Sequence, residues 1–193
     1  MKQITLKSMA MSVTAAILCV NSGNAAEVAG VKVDDSMTVN GTQLALNGAG
    51  IRTKLGAKVY VAALYVPAKT TDADSIINGT GPRKMKLVMK RGVGADTMWG
   101  AFREGIEANS TKDELKALEP KLARMEKAFN DLRKTSEGDI LEFDFAADGT
   151  TTFSFNGQVK ETIPGKDLST AFLKIWLGAK PAQAPLKKDL LKG

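Results

Sequence analysis

One arginine and one tyrosine are the residues of this sequence best placed to bind a charged group. Arg52 lies between a glycine-rich stretch, residues 47–50, and an apolar strand, so we expect its guanidinium to point into a partly buried space. A buried charge must be paired, and a guanidinium offers a planar two-pronged donor to a carboxylate. The partner is either an acid of the protein or the anionic head of a ligand, and the sequence leaves both open.

Tyr60 is the second candidate. Tyr60 and Tyr65 are the only tyrosines in the chain, and their separation of five residues places them on opposite faces of a regular strand. Beside Arg52, the Tyr60 hydroxyl would add a second donor and complete a clamp for an anion. The alternative is an ordinary core or edge tyrosine, which joins an apolar body to a polar tip.

Absent residue types exclude most other chemistry. The 193 residues contain no histidine, and the single cysteine, Cys19, lies in a segment that we expect to be removed. Ser-His-Asp and Cys-His catalysis, and the usual zinc, haem and iron–sulfur sites, need these residues. We therefore expect no metal and no cofactor. The composition, with 44% hydrophobic and 25% charged residues, is that of an ordinary globular domain.

The first 25 residues have the pattern of a signal peptide. Two lysines precede an apolar run over residues 9–20, which is shorter than the ~20 residues that span a bilayer. Gly23 and Ala25 are small enough for the pocket of a signal peptidase that cuts after Ala25, and a cut after Ala26 also fits. We predict a removed signal peptide over residues 1–25, with an uncleaved membrane anchor as the alternative.

Removal of this segment implies an exported, periplasmic protein with one domain over residues 26–193. The formal net charge falls from +6 to +4, because residues 1–25 contain two lysines and no acid. No basic run is interleaved with aromatic residues, so we expect no nucleic-acid partner. The modest positive charge favours peripheral contact with an anionic membrane surface. The sequence does not predict an oligomeric state.

Hydrophobic periodicity predicts a sheet with helices on one face. In chain order, the predicted elements are strands within 42–66, a short helix over 72–77, a strand around 84–90, helices beginning at Asp96 and Lys112, a hairpin over 141–155, a strand to Ile163 and a last helix over 168–176. Single strands and helices do not alternate, and no glycine-rich phosphate loop is present. The order therefore predicts the α+β class, a large antiparallel sheet covered by a layer of helices.

Each of the two long helices has an apolar face. Met98, Phe102 and Ile106 recur every four residues, and they either belong to a plain helix–sheet core or line a cavity. The helix that begins at Lys112 has an apolar stripe and a charged opposite face. That face is either simply solvated or a surface for a partner, which would carry the function if the site at Arg52 were vestigial.

Two pairs of sequence segments carry a resemblance to a known family. Asn-Gly-Ala-Gly-Ile-Arg at residues 47–52 is followed by Lys58–Val66, and Phe172–Gly178 is followed by Pro185–Leu191. Together they resemble the chalcone isomerase superfamily, and most closely its exported bacterial chalcone-isomerase-like proteins, over about residues 30–191. The resemblance implies an open-faced β-sandwich, with a ligand cleft between the sheet and the helices.

The resemblance also implies roles for individual residues. In the plant enzymes an arginine of this motif holds the oxyanion of the flavonoid during ring closure, and Arg52 matches it. The enzymes have a threonine where this sequence has Tyr60, and a tyrosine and an asparagine where it has Thr97 and Glu104. A carboxylate at Glu104 would also oppose the binding of a phenolate. The arginine is therefore kept, while the other polar positions depart from the enzyme pattern.

Non-catalytic members of the superfamily bind fatty acids and hold the carboxylate with an arginine and a tyrosine. Arg52 and Tyr60 fit that arrangement, and Met98 and Phe102 would line the apolar cavity for the tail. We therefore predict a binding protein for a small amphipathic carboxylate such as a fatty acid. The alternative is an intramolecular lyase of the chalcone isomerase type, with Arg52, Tyr60 and Thr97 as its catalytic residues.

Overall fold

A seven-stranded antiparallel sheet forms the centre of residues 26–193, the part of the chain that this computed structural model describes. The strands are β1 (Ala26–Val28), β2 (Val31–Val33), β3 (Ser36–Val39), β4 (Thr42–Lys54), β5 (Ala57–Val66), β6 (Arg83–Met89), β7 (Val93–Gly94), β8 (Lys134–Thr135), β9 (Ile140–Phe145), β10 (Thr151–Phe155) and β11 (Gln158–Ile163). The sheet has the spatial order β11-β10-β9-β6-β5-β4-β3, and β1–β2 and β7–β8 are two separate ladders. The predicted signal peptide lies outside the described residues.

Helices cover one face of this sheet. They are α1 (Ala73–Asn78), α2 (Ala95–Ala108), α3 (Lys112–Asn130), α4 (Lys166–Leu177) and α5 (Ala184–Leu190). Their buried side chains join those of β5, β6, β9 and β10 in one core. The predicted α+β fold, a large antiparallel sheet covered by helices, is confirmed. Among the helices of residues 26–193, none is long and apolar enough to cross a membrane.

The β9–β10 hairpin supplies the aromatic centre of this core. Phe143 lies opposite Phe153 in the register of the two strands, and their rings stack with centroids 5.1 Å apart. Phe129 of α3 stacks on Phe153 at 4.5 Å. Stacked aromatic pairs stabilise a fold by more than the burial of their surfaces alone contributes. They therefore hold α3 over the β9–β10 half of the sheet.

Helix α2 differs from its prediction at one end. It begins at Ala95, one residue before the predicted start at Asp96, so Asp96 lies in the first turn of the helix. There its carboxylate still interacts favourably with the positive end of the helix dipole. The apolar face is as predicted, because Met98, Phe102 and Ile106 are all buried.

A β-bulge in β4 decides which face of the sheet Arg52 reaches. The register shifts between Leu46 and Gly48. Before the bulge, Leu44 and Leu46 face away from the main core, and after it Ile51 does so. One extra residue reverses the alternation of a strand. Arg52 therefore faces the helices, whereas in a regular strand it would share the face of Leu44 and Leu46.

The opposite face of the sheet carries a second, smaller core. Ala63 and Tyr65 of β5 are buried there with Leu44, and the short strands β1 and β2 cover them, with Val33 buried between. Tyr60 belongs instead to the core on the helix side. The prediction that the two tyrosines face opposite sides of one strand is therefore confirmed.

Candidate functional site

A cavity of about 500 Å³ opens between the β4–β5 hairpin, the first half of α2 and the end of α4. Small-molecule sites span about 300–1,000 Å³, so this volume suits a ligand. Most of the lining is apolar, and its larger apolar side chains include Val59, Val93, Met98, Phe102 and Ile175. The lining can therefore enclose a hydrocarbon group.

The structure brings the sequence-predicted site residues together. Arg52, Tyr60, Thr97, Met98 and Phe102 all line this one cavity. Met98 and Phe102 are also buried members of the main core. The two alternatives for these side chains, core and cavity lining, therefore hold at the same time.

Two other side chains of α2 lie outside the cavity. Ile106 is fully buried, so of its two alternatives the helix–sheet core is the one that the structure shows. Glu104 is exposed and does not line the cavity either. Two residues along an α-helix correspond to a rotation of about 200°, so Glu104 lies on the far side of α2 from Phe102. Its carboxylate therefore does not oppose a phenolate in the cavity.

Arg52 lies beside Tyr60 without an acidic partner. The two residues face each other in the register of β4 and β5. Nη1 of Arg52 donates to the Thr53 carbonyl at 2.8 Å and to Oε1 of Gln183 at 3.5 Å. Within residues 26–193 it forms no ion pair, and no Asp or Glu lines the cavity. A half-buried guanidinium without an acid can take an external anion as its charged partner.

The Tyr60 hydroxyl is oriented to donate a hydrogen bond. Nε1 of Trp176 donates to its oxygen at 3.0 Å, so the hydroxyl proton is free for another acceptor. The Tyr60 side chain is buried, with 4% of its surface exposed. Burial raises the pKa of the phenol, against the opposing effects of the Trp176 hydrogen bond and the Arg52 charge. The phenol therefore stays protonated at neutral pH and can donate to an anion.

Gln183, directly before α5, positions the end of β4 and was not predicted. Its Oε1 accepts from the backbone N–H of Thr53 at 2.9 Å, and its Nε2 donates to Oγ1 of Thr53 at 2.9 Å. These bonds fix the residue next to Arg52. Gln183 is 131 positions away from Arg52 along the chain, so no spacing or periodicity could have predicted the contact.

Close approach of α5 explains the glycine-rich stretch before Arg52. A side chain at Gly48 would collide with the backbone of Asp189, and a Cβ at Gly50 would lie 2.6 Å from the Cβ of Asp189. Nδ2 of Asn47 donates to the Leu190 carbonyl at 2.8 Å, and this contact is buried. The stretch is therefore the surface of β4 on which α5 packs.

The charged side chains of the lining are all cations. Lys54 and Arg91 join Arg52, and both are exposed. In the part of the chain that the structure describes, no cluster of three or more His, Cys, Asp or Glu side chains could hold a metal ion. The arrangement can therefore bind an anionic head group through arginine and phenol donors and an apolar body through the side chains of α2.

Comparison with known proteins agrees with this architecture. Among solved structures, the chain is similar to a fatty-acid binding protein of Arabidopsis thaliana, with a TM-score of 0.67 and 15% identity, over 84% of this chain and 92% of that one. At this identity the likeness shows the fold alone. No curated protein matches the sequence. Residues 25–192 match the family model described as chalcone isomerase-like. Because the match spans nearly the whole sequence, the chain belongs to the chalcone isomerase-like family.

Proposed function

We propose that this protein binds amphipathic carboxylates such as fatty acids and is not an enzyme. Arg52 and Tyr60 hold the carboxylate, and the tail enters the cavity beside α2. The observation that carries the proposal is the half-buried Arg52 guanidinium, which has no acidic partner among the described residues and lies on the wall of an apolar cavity. The binding of fatty acids by the Arabidopsis protein of the same fold supports it.

The head group is recognised by two donors of different kinds. The guanidinium of Arg52 supplies charge and a fork of N–H groups, and Tyr60 supplies one neutral hydroxyl. A hydrogen bond to a charged group contributes about 1.5–3 kcal/mol, so both donors gain from a carboxylate. Arg52 adds the attraction of its own positive charge and can donate two N–H groups at once. The charged head should therefore be required for tight binding, and Arg52 should contribute more than Tyr60.

The tail adds affinity through burial. Each methylene removed from water contributes about 0.8 kcal/mol, which is about a fourfold gain in affinity. The apolar side chains of the lining suit a chain of this kind. Affinity should therefore rise with chain length until the cavity is filled.

Isothermal titration with dodecanoate tests the proposal. The Arg52→Gln variant should bind dodecanoate about tenfold to a hundredfold more weakly than the wild type, because it loses the charged donor. Dodecanol, which has the same tail and no charge, should bind both proteins with similar weak affinity. The matched control is Arg124→Gln, which removes an exposed guanidinium from α3 outside the cavity and should bind dodecanoate as the wild type does. Equal dodecanoate affinity of Arg52→Gln and wild type would overturn the proposal.

The ring-closing activity is the alternative that this site supports less well. Of the positions that the family resemblance assigns to the enzymes, Thr97 lines the cavity, whereas Glu104 lies on the surface. The polar set around the arginine is therefore incomplete. We expect a chalcone to cyclise no faster with the protein than in buffer alone. The visible absorbance of the chalcone measures this rate. A faster rate that falls in Arg52→Gln would favour the enzyme.

We further propose that binding takes place in the periplasm after export. The support is the sequence of residues 1–25, with its lysines, short apolar run and small residues before Ala26. Expression of the full chain in a Gram-negative bacterium, followed by fractionation and mass determination, tests this. A periplasmic product that begins at Ala26 or Glu27 is expected, and a cytoplasmic product that retains Met1 contradicts it.

A further inference from the structure

The turn between β4 and β5 carries an apolar side chain that the described protein leaves in solvent. Leu55 is 99% exposed, and within residues 26–193 only one other large hydrophobic residue, Val159 at 63%, is comparably exposed. Leu55 also lies on the rim of the cavity. Burial within the protein therefore does not account for a leucine at this position.

Backbone conformation does not account for it either. Leu55 has φ of 50°, in the left-handed region, and Gly56 follows with φ of 78°. Three other two-residue turns of the described chain have nearly the same φ values. Two of these use Asn-Gly, at 40–41 and 156–157, and the third uses Ala-Gly at 29–30. Asparagine tolerates this conformation better than leucine does. One exposed apolar side chain is ordinary on a protein surface. At Leu55 the backbone conformation disfavours leucine as well, so neither burial nor turn geometry favours leucine at this position.

Cations surround this turn. Lys54 precedes Leu55, Lys58 follows it on β5, and Arg91 lies on the same cavity rim. All three side chains are exposed, and none forms an ion pair with another part of residues 26–193. Anionic lipids attract Lys and Arg, and the boundary between head groups and acyl chains accepts an apolar side chain. The turn is therefore complementary to such a surface in both charge and polarity.

We propose that the β4–β5 turn docks this protein onto an anionic lipid bilayer. Leu55 enters the boundary between head groups and acyl chains, and Lys54, Lys58 and Arg91 lie against the lipid phosphates. The mouth of the cavity then faces the membrane. This inference goes beyond the proposed function, because docking of the turn does not require a ligand in the cavity. One leucine and three cations give a weak and reversible contact.

Co-sedimentation with lipid vesicles tests the docking. The purified protein is mixed at low salt with vesicles of phosphatidylcholine alone, or of phosphatidylcholine with about one-third phosphatidylglycerol. The wild type should sediment with the anionic vesicles only. The Leu55→Asn variant should bind them about fivefold to tenfold more weakly, and Lys58→Gln about fivefold more weakly.

Two matched controls lie on β11, the edge strand at the end of the sheet that is far from the β4–β5 turn. Val159→Thr removes the other exposed hydrophobic residue, and Lys160→Gln removes an exposed cation. Both should bind anionic vesicles as the wild type does. The thermal unfolding midpoint of Leu55→Asn should be no lower than that of the wild type, because asparagine suits the left-handed turn. Weaker binding of that variant then cannot result from unfolding.

Three outcomes would overturn the proposal. They are equal vesicle binding by Leu55→Asn and wild type, an equal loss of binding in Val159→Thr, and binding that does not depend on phosphatidylglycerol. The vesicles contain no free fatty acid, and the dodecanoate titration contains no vesicles. Failure of the docking proposal is therefore distinguishable from failure of the proposed ligand binding.

Discussion

Tyr60 and Tyr65 lie on one strand, and the environments of their hydroxyl groups differ. The Tyr60 oxygen accepts a hydrogen bond from Trp176. The Tyr65 hydroxyl is buried and has no hydrogen-bond partner among the described residues. A satisfied buried hydroxyl stabilises a fold, whereas a buried hydroxyl without a partner costs free energy. The two hydroxyls should therefore contribute to stability with opposite signs.

The Tyr60→Phe variant should lower the free energy of unfolding by about 1–3 kcal/mol, because it leaves the buried indole N–H of Trp176 without an acceptor. It should also weaken dodecanoate binding, since one of the two donors to the carboxylate is lost. Urea denaturation followed by tryptophan fluorescence measures the first effect, and isothermal titration measures the second.

Tyr65→Phe is the matched control for this change. It removes the same atom from the same strand, but on the face that the helices do not cover. The free energy of unfolding should stay the same or rise slightly, and dodecanoate affinity should be that of the wild type. A larger loss of stability in Tyr65→Phe than in Tyr60→Phe would contradict these hydrogen-bond assignments.

The sequence could predict some residues of the site and not others. Arg52 and Tyr60 could be named as a possible pair from their residue types and from the family resemblance. Their register could not be predicted, because a shift between Arg52 and Thr53 brings Tyr60 opposite Arg52, whereas the two-residue turn alone would pair Arg52 with the residue before Tyr60. Trp176 and Gln183 could not be assigned to the site. Each acts through a contact with a residue more than a hundred positions away, 116 for Trp176 and Tyr60 and 131 for Gln183 and Arg52. No local pattern of sequence encodes such a contact.

Helix α5 and strand β4 form the element pair on which the site depends. The helix packs where Gly48 and Gly50 leave room, and Gln183 directly before it bonds to Thr53. The backbone of α5 leaves no space for a side chain at Gly48. Arg52 is therefore positioned by an element that comes last in the described chain.

A Gly48→Ala variant should be destabilised by about 1–3 kcal/mol, because its Cβ meets the backbone of Asp189, which cannot move away by a side-chain rotation. Displacement of α5 also separates Gln183 from Thr53, so dodecanoate binding should weaken. Urea denaturation and isothermal titration measure the two effects.

Gly100→Ala is the control for this substitution. Gly100 lies in the middle of α2, and a Cβ there would have no atom within 4 Å. Alanine favours a helix over glycine by about 0.5–1 kcal/mol, so this variant should be more stable than the wild type. A Gly48→Ala protein as stable as the wild type would contradict the close packing of α5 on β4.

Length and repetition explain which elements could be predicted. Helix α3, with 19 residues, and the β9–β10 hairpin repeat their apolar pattern often enough to identify both type and position. The three residues each of β1 and β2 and the seven of α5 give too few repeats, and these elements were missed. The bulge in β4 could not be predicted beyond the glycine-rich stretch at residues 47–50, because glycine is typical of both bulges and turns.

Three buried groups make the stability of the whole molecule depend on pH in the alkaline range. Burial raises the pKa of Tyr60 and of Tyr65, and nearby carboxylates raise that of Tyr65 further. Burial alone would lower the pKa of Lys84, but Glu142 at 2.9 Å and Asp144 at 3.2 Å outweigh it, and the pKa is raised. All three groups therefore keep their protons more tightly in the folded protein than in the unfolded chain.

Stability should accordingly fall at high pH. The unfolded chain loses these protons near pH 10, whereas the folded protein keeps them, so the stabilisation is complete below about pH 9 and is lost above about pH 10. The expected slope is about 1.4 kcal/mol per pH unit for each group. Urea denaturation across this range measures it. The absorbance of tyrosinate should appear only as the protein unfolds, and ionisation of either tyrosine in the folded state would contradict their burial.

On the scale of the whole molecule, a half-buried guanidinium, a buried phenol and an apolar cavity meet at the end of a β-hairpin, and the proposed function depends on a contact between Arg52 and a carboxylate. The most direct test is carbon-13 NMR of dodecanoate labelled at its carboxyl carbon, titrated with acid in the complex. A neighbouring guanidinium favours the ionised form, so the pKa of the bound carboxyl should lie below that of the free ligand, and this difference should vanish in Arg52→Gln. A bound carboxyl that titrates like the free ligand, or identically in the two proteins, would contradict the account.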